Sequence, residues 1–145
     1  ADDTLEFPDA YGIIECGIPR PGSCRKLQAL LNHVNSSQDE MSQEELKSTL
    51  KIFVESLSRS YDPQTRRTSL SLFQAVLRRG GKLCNEGCFS ALNGGSKRAT
   101  DAHAWMVLVS CTSRFLLHVS KSAEGDSDIF FTKCAPLLCQ TLGKV

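Results

Sequence analysis

The sequence lacks most of what marks a membrane protein, an enzyme or a sheet. Its most apolar run, AWMVLVSC over residues 104–111, is far short of the roughly 20 residues needed to cross a bilayer, so no membrane partner is expected. The opening ADDTLEFPD has none of the basic-plus-apolar character of a secretory leader. Aromatic residues make up only 7% of the chain and the formal net charge is +1. That composition gives neither the aromatic signature of an RNA-binding sheet nor a basic DNA-binding tail, and no zinc-finger spacing occurs. DNA is therefore not expected as a partner. Alternating apolar and polar residues, the mark of half-buried strands, are not prominent.

Catalytic motifs are missing as well. There is no Gly-x-Ser-x-Gly nucleophile turn, and the three histidines, His33, His103 and His118, sit in no recognisable catalytic pattern. Gly94-Gly95-Ser96-Lys97 has lysine after a glycine pair, but it lacks the spacing of a phosphate loop and no strand leads into it. Cys84 and Cys88 are one helical turn apart and Cys134 and Cys139 are five residues apart. Neither pair has the Cys-x-x-Cys spacing of a structural zinc loop. The chain is read as a non-enzyme with no cofactor and no metal.

What is present is a chain of 145 residues, 41% apolar and 23% charged, long enough to bury one core without covalent staples. The seven cysteines cannot all pair within one chain. They are read as reduced thiols in a cytoplasmic protein, behaving as small buried apolar groups. A secreted, disulfide-bonded helical signalling or binding protein is the rival reading, and Asn35-Ser36-Ser37 is a formal glycosylation sequon.

Apolar residues recur at helical spacing. Residues 1–22 hold Pro8, Gly12, Gly17, Pro19, Pro21 and Gly22 and read as an extended leader; residues 23–145 read as one helical domain. Ser23 is positioned to cap a helix carrying Leu27, Leu30, Leu31 and Val34. Ser42 and Glu45 have capping-box spacing, ahead of a stripe through Leu46, Leu50, Phe53, Val54, Leu57 and Tyr61 that predicts a helix over 43–60. SYDPQTRR over residues 60–67 then forms a corner. Asp62 caps the next helix, Pro63 occupies its first position, and the residue before a proline avoids helical backbone. That helix buries Leu70, Phe73, Val76 and Leu77 and stops at Gly80-Gly81.

A shorter helix is predicted near 84–92, broken by Gly94-Gly95. A central helix over 100–120 carries Ala102, Trp105, Met106, Val109, Cys111, Phe115, Leu116 and Val119 on more than one face. A last one near 128–142 is kinked or split by Pro136. The expected fold is all-α: HEAT/armadillo-like antiparallel helix pairs, or a compact five- or six-helix bundle. Leu50, Phe53, Val54, Leu57, Leu70, Phe73, Leu77, Trp105, Val109, Leu116 and Leu138 are the expected core.

Charge is uneven along the chain. Residues 1–46 carry nine acids against three Lys/Arg, and residues 47–98 carry ten Lys/Arg against three acids, a local net of +7. Lys47, Lys51, Arg59, Arg66, Arg67, Arg78, Arg79 and Lys82 gather on one basic face if the two helices flanking Asp62 pack antiparallel, with Lys97 and Arg98 along a second edge. Such a face suits RNA or an acidic protein surface. The plainer alternative is a structural protein-interaction module whose cations only solvate its helices.

The order KIFVESLSRSYDPQTRRTSLSLFQAVLRR, a glycine-rich break, DAHAWMVLVSCTSRFLL and GDSDIFFTKCAPLLCQTLG resembles the amino-terminal region of the giant HEAT-repeat translational activators of general amino-acid control. The likeness spans residues 43–143 and rests on Phe53, Leu57, Tyr61, Asp62, Arg66 and Arg67, on Leu72 to Leu77, on Trp105 within 104–117, and on Gly125, Leu137, Leu138 and Leu142. It implies a cytoplasmic, non-enzymatic scaffold. Such a scaffold binds ribosomes, works with an ABC-type ATPase partner and promotes activation of the starvation kinase that phosphorylates the initiation-factor alpha subunit. Kinase contact in that family belongs to regions far downstream.

Overall fold

In a computed structural model, residues 21–80, 84–121 and 127–143 are described. They form six helices: α1 (Pro21–Asn35), α2 (Gln43–Ser56), α3 (Pro63–Arg79), α4 (Cys84–Arg98), α5 (Ala102–Ser120) and α6 (Ser127–Leu142). A 3-10 turn over Leu57–Arg59 follows α2, and no strand occurs among the described residues. The chain is all-α.

The start and stop signals act largely as the sequence predicts. Ser42 Oγ accepts from the Glu45 amide at 3.1 Å, but Glu45 does not complete the capping box. Its carboxylate takes Arg79 instead, at 2.7 Å from Nη1 and 3.2 Å from Nη2, because a guanidinium buried at the end of α3 needs a counter-charge more than an exposed amide needs a second acceptor. At the corner, Asp62 Oδ2 accepts from the Thr65 amide at 3.2 Å and its hydroxyl at 2.7 Å, with Pro63 opening the helix. Gly80, at φ 68°, closes α3 in the left-handed region that glycine tolerates.

Four expectations need correcting. α1 takes in Pro21 and Gly22, so the helical part starts before Ser23; residues 1–20 of the expected leader lie outside the described residues. Gly94-Gly95 does not end α4, which runs on to Arg98. Gly95 serves close approach instead: a Cβ there would stand 2.8 Å from Leu57 Cδ1 and 3.0 Å from Leu108 Cδ2. Of the kink or split expected at Pro136, the split does not occur, because α6 runs through that residue. Within α5 the buried face is Ala104, Trp105, Val107, Leu108, Cys111, Thr112, Phe115 and Val119, which leaves Val109 half-buried and Met106 52% exposed.

The helices stack in two layers. α1 lies on α3 and α3 on α5; α2 lies on α4 and α4 on α6. The layers meet through the consecutive pairs α2/α3, α4/α5 and α5/α6. Each helix therefore packs on the next but one, an arrangement that helical repeats and layered helix bundles share. One core runs along the layer boundary, with Phe53 and Phe73 at 5.2 Å between ring centroids. Phe115 meets Phe130 edge-on at 5.5 Å. Ser56 and Ser69 share a buried hydroxyl contact of 2.7 Å that joins α2 to α3. Of the expected core, Leu50, Phe53, Leu57, Phe73, Leu77 and Trp105 are fully buried, while Val54, Leu70, Val109, Leu116 and Leu138 are half-buried.

Candidate functional site

The two-layer stack separates residues that the sequence places side by side. Arg59 and Arg79 are buried, at 4% and 8% exposure, and so leave the expected basic face. Arg79 forms the ion pair with Glu45 and donates through Nε to the Asp39 carbonyl at 2.8 Å. Arg98 is exposed but paired with Glu55 on α2, which ties the carboxyl ends of α2 and α4 together. Lys82 lies outside the described residues. Among the described residues, the expected face therefore loses Arg59 and Arg79 to the interior.

Two separate surfaces remain. On the second layer, α2 and α4 border a shallow groove of about 460 Å³. Its floor is Leu46, Leu50, Val54 and Ala91; Lys47, Lys51 and Glu86 line its rim. Gly87 allows the two helices to approach, since a Cβ there would stand 3.1 Å from Leu46 Cδ2. Lys97 is exposed near the carboxyl end of α4.

On the first layer, the cations are guanidiniums held by uncharged acceptors. Arg66 Nη1 donates to the Ser60 carbonyl at 2.6 Å and lies 3.2 Å from His103 Nδ1 on α5. Arg67 reaches Gln64 at 3.3 Å. Arg78 joins α3 to the end of α1, donating to Asn35 Oδ1 at 3.0 Å and Gln38 Oε1 at 3.1 Å. Arg114 of α5, which sequence reasoning missed, donates to the Gln74 carboxamide oxygen at 2.6 Å through Nε and 3.1 Å through Nη1. The missed signal is periodic: Arg114 falls eleven residues after His103, on the same side of α5.

The thiols form no such surface. Cys84, Cys88, Cys111 and Cys134 are buried and Cys139 is exposed, all unpaired, while Cys16 and Cys24 lie outside the residues whose side chains are described. Cys84 and Cys88 are 3.8 Å apart at sulfur. Burial pushes the Cys111 thiol far above its ordinary range, and contact with Cys84 together with burial raises Cys88. Such thiols stay protonated at neutral pH and are poor nucleophiles. Burial lowers the His118 pKa. No group of three or more metal-ligating side chains occurs among the described residues, and no described helix is long and apolar enough to cross a membrane.

The fold defines an all-α, layered helical protein. Compared with protein-family models, curated proteins and solved structures, the chain gives no match.

Proposed function

We propose that the chain is a non-enzymatic scaffold segment that docks a translational activator to the ribosome or to its ABC-type ATPase partner in the cytoplasm. In that role it supports activation of the initiation-factor-alpha kinase in amino-acid starvation, with the kinase itself met through other regions of a longer protein. The observation that carries this reading is the layered order, each helix lying on the next but one, the architecture of proteins whose function is extended surface. The family resemblance over residues 43–143 supplies the partner. The last helix pair adds support: Met106, Leu117, Ile129, Phe131 and Leu142 are exposed, as in a stack covered by further helices.

The groove between α2 and α4 favours a second reading, a protein-interaction module that receives an apolar segment of the ATPase partner between Lys47, Lys51 and Glu86. Sedimentation of the 145-residue chain with purified ribosomes, beside capture on the immobilised ATPase, tests both. Salt-sensitive pelleting supports ribosome docking. Capture on the ATPase without pelleting assigns the chain to that partner, and neither outcome overturns the proposal as a whole unless both assays are blank.

A further inference from the structure

The alternation of layers sorts charge by helix. The first-layer helices α1, α3 and α5 contain seven Lys/Arg (Arg25, Lys26, Arg66, Arg67, Arg78, Arg79 and Arg114), all three histidines, and no Asp or Glu. The second-layer helices α2, α4 and α6 contain five acids and five Lys/Arg. The contrast is invisible along the chain, because acid-free and mixed helices alternate.

The outer side of the first layer presents three polar stripes. On α1 it shows Arg25, Gln28, Asn32 and Asn35; on α3, Arg67, Ser71, Gln74 and Arg78; on α5, His103, Ser110, Arg114 and His118, with Met106 and Leu117 exposed beside them. The stripes are joined across helices by the Arg78–Asn35 and Arg114–Gln74 contacts. Among the described residues, carboxylates lie only at the margins of this face: Asp39 and Glu40 after α1, and the capping Asp62 and Asp101. Arg67, Arg78 and Arg114 are thus oriented by amide oxygens, with no carboxylate pairing them among the described residues. Arg79 and Arg98 do meet carboxylates, both on α2 of the second layer.

We infer that this acid-free outer face of the first layer binds the phosphate backbone of structured RNA. The inference rests on reading the chain as a docking segment and assigns that docking to one face and one ligand chemistry. Guanidiniums, carboxamides and hydroxyls are the donors that phosphate and ribose oxygens accept from. Arg67 and Arg78 are about 16 Å apart along α3, and adjacent helices add about 9 Å each, so the face meets several successive phosphates. A protein partner would call for aromatic or large aliphatic anchors at the centre of the face, and α3, the central helix of the layer, exposes none: of the exposed large apolar residues, Tyr61 precedes α3, Met106 and Leu117 are on α5 at one edge, and Ile129, Phe131 and Leu142 are on α6.

The test is binding of the 145-residue chain to a labelled RNA hairpin between about 50 and 200 mM salt, over which a face of about four phosphate contacts loses roughly a hundredfold in affinity. The triple variant Arg67→Gln, Arg78→Gln, Arg114→Gln is expected to bind at least about tenfold more weakly at the lower salt and to reduce the salt slope by about three. The second-layer control, Lys47→Gln, Lys51→Gln, Lys97→Gln, is expected to match the wild type. Replacing the three arginines by lysine keeps the slope. If circular dichroism shows the glutamine triple unfolded, Arg67→Gln and Arg114→Gln singly are read for a loss of about one in slope each. Equal losses in the two triples, salt-independent binding, or displacement of the RNA by poly-L-glutamate at equal charge overturns the inference. Ribosome pelleting that survives the glutamine triple overturns this face while leaving the docking reading intact.

Discussion

Replacing Gly95 by alanine tests the layer contact most sharply, because Gly94 beside it is a built-in control. Both residues lie inside α4, where alanine is favoured over glycine by about 1 kcal/mol. At Gly94 a Cβ meets nothing within 4 Å, so Gly94→Ala should stabilise the protein by about that amount. At Gly95 the same methyl stands 2.8 Å from Leu57 Cδ1 and 3.0 Å from Leu108 Cδ2. Both leucines are buried, at 2% and 1% exposure, and have little room to turn away, so overpacking costs about 1–3 kcal/mol. The methyl's propensity gain is offset, and Gly95→Ala should be destabilising by about 1 kcal/mol. The gap between the two variants is then about 2 kcal/mol, or about 6 °C in Tm. Urea titration with a common slope measures it. Leu57→Val should narrow the gap, since the shorter side chain makes room and couples the two sites. Equal stabilisation by both alanines would refute the close approach of α4 to α5 and the turn after α2.

Phe53→Ala should cost about 3–5 kcal/mol in urea, since Phe53 is wholly buried against Phe73; a loss under about 1 kcal/mol would contradict its placement. Glu45→Gln strands the buried guanidinium of Arg79 and should cost about 3 kcal/mol, part of which the double variant Glu45→Gln, Arg79→Met should restore; additive losses would contradict a direct pair. Burial raises the Cys111 thiol in the fold, so the folded state holds its proton where the unfolded chain releases it. Stability should be full below the ordinary thiol range and fall as pH rises past about 8.5. Cys111→Ala should make that alkaline decline shallower in pH-dependent melting, and an unchanged decline would show that the buried thiol does not contribute to it.

Local backbone signals were legible in the sequence because they act within a turn or two: Ser42, Asp62, Pro63 and Gly80 each end or begin a helix as read. The apolar stripe of α2 was equally plain, because one face of that helix is wet. α5 was misjudged in detail, since a helix apolar on several sides does not announce which side faces the layer boundary. Gly94-Gly95 misled for a different reason. A glycine that breaks a helix and one that lets a neighbouring leucine approach are identical in sequence, and only the positions of Leu57 and Leu108 tell them apart. The basic face suffered most. Summing charge over residues 47–98 merged two layers, counted Arg79 before its burial against Glu45 was visible, and passed over Arg25 and Arg114, which lie outside that window. Charge along the chain and charge across the fold differ here because consecutive helices enter opposite layers.

Ribosome sedimentation tests the proposed docking, and the face assigned to it, most directly. Wild-type chain, the first-layer glutamine triple and the second-layer glutamine triple, each with a native circular dichroism spectrum, should be sedimented with purified ribosomes over a salt series. The wild type and the second-layer triple should pellet at low salt and release as salt rises, while the first-layer triple stays in the supernatant throughout. Identical pelleting of all three proteins, or loss confined to the second-layer triple, would contradict the account.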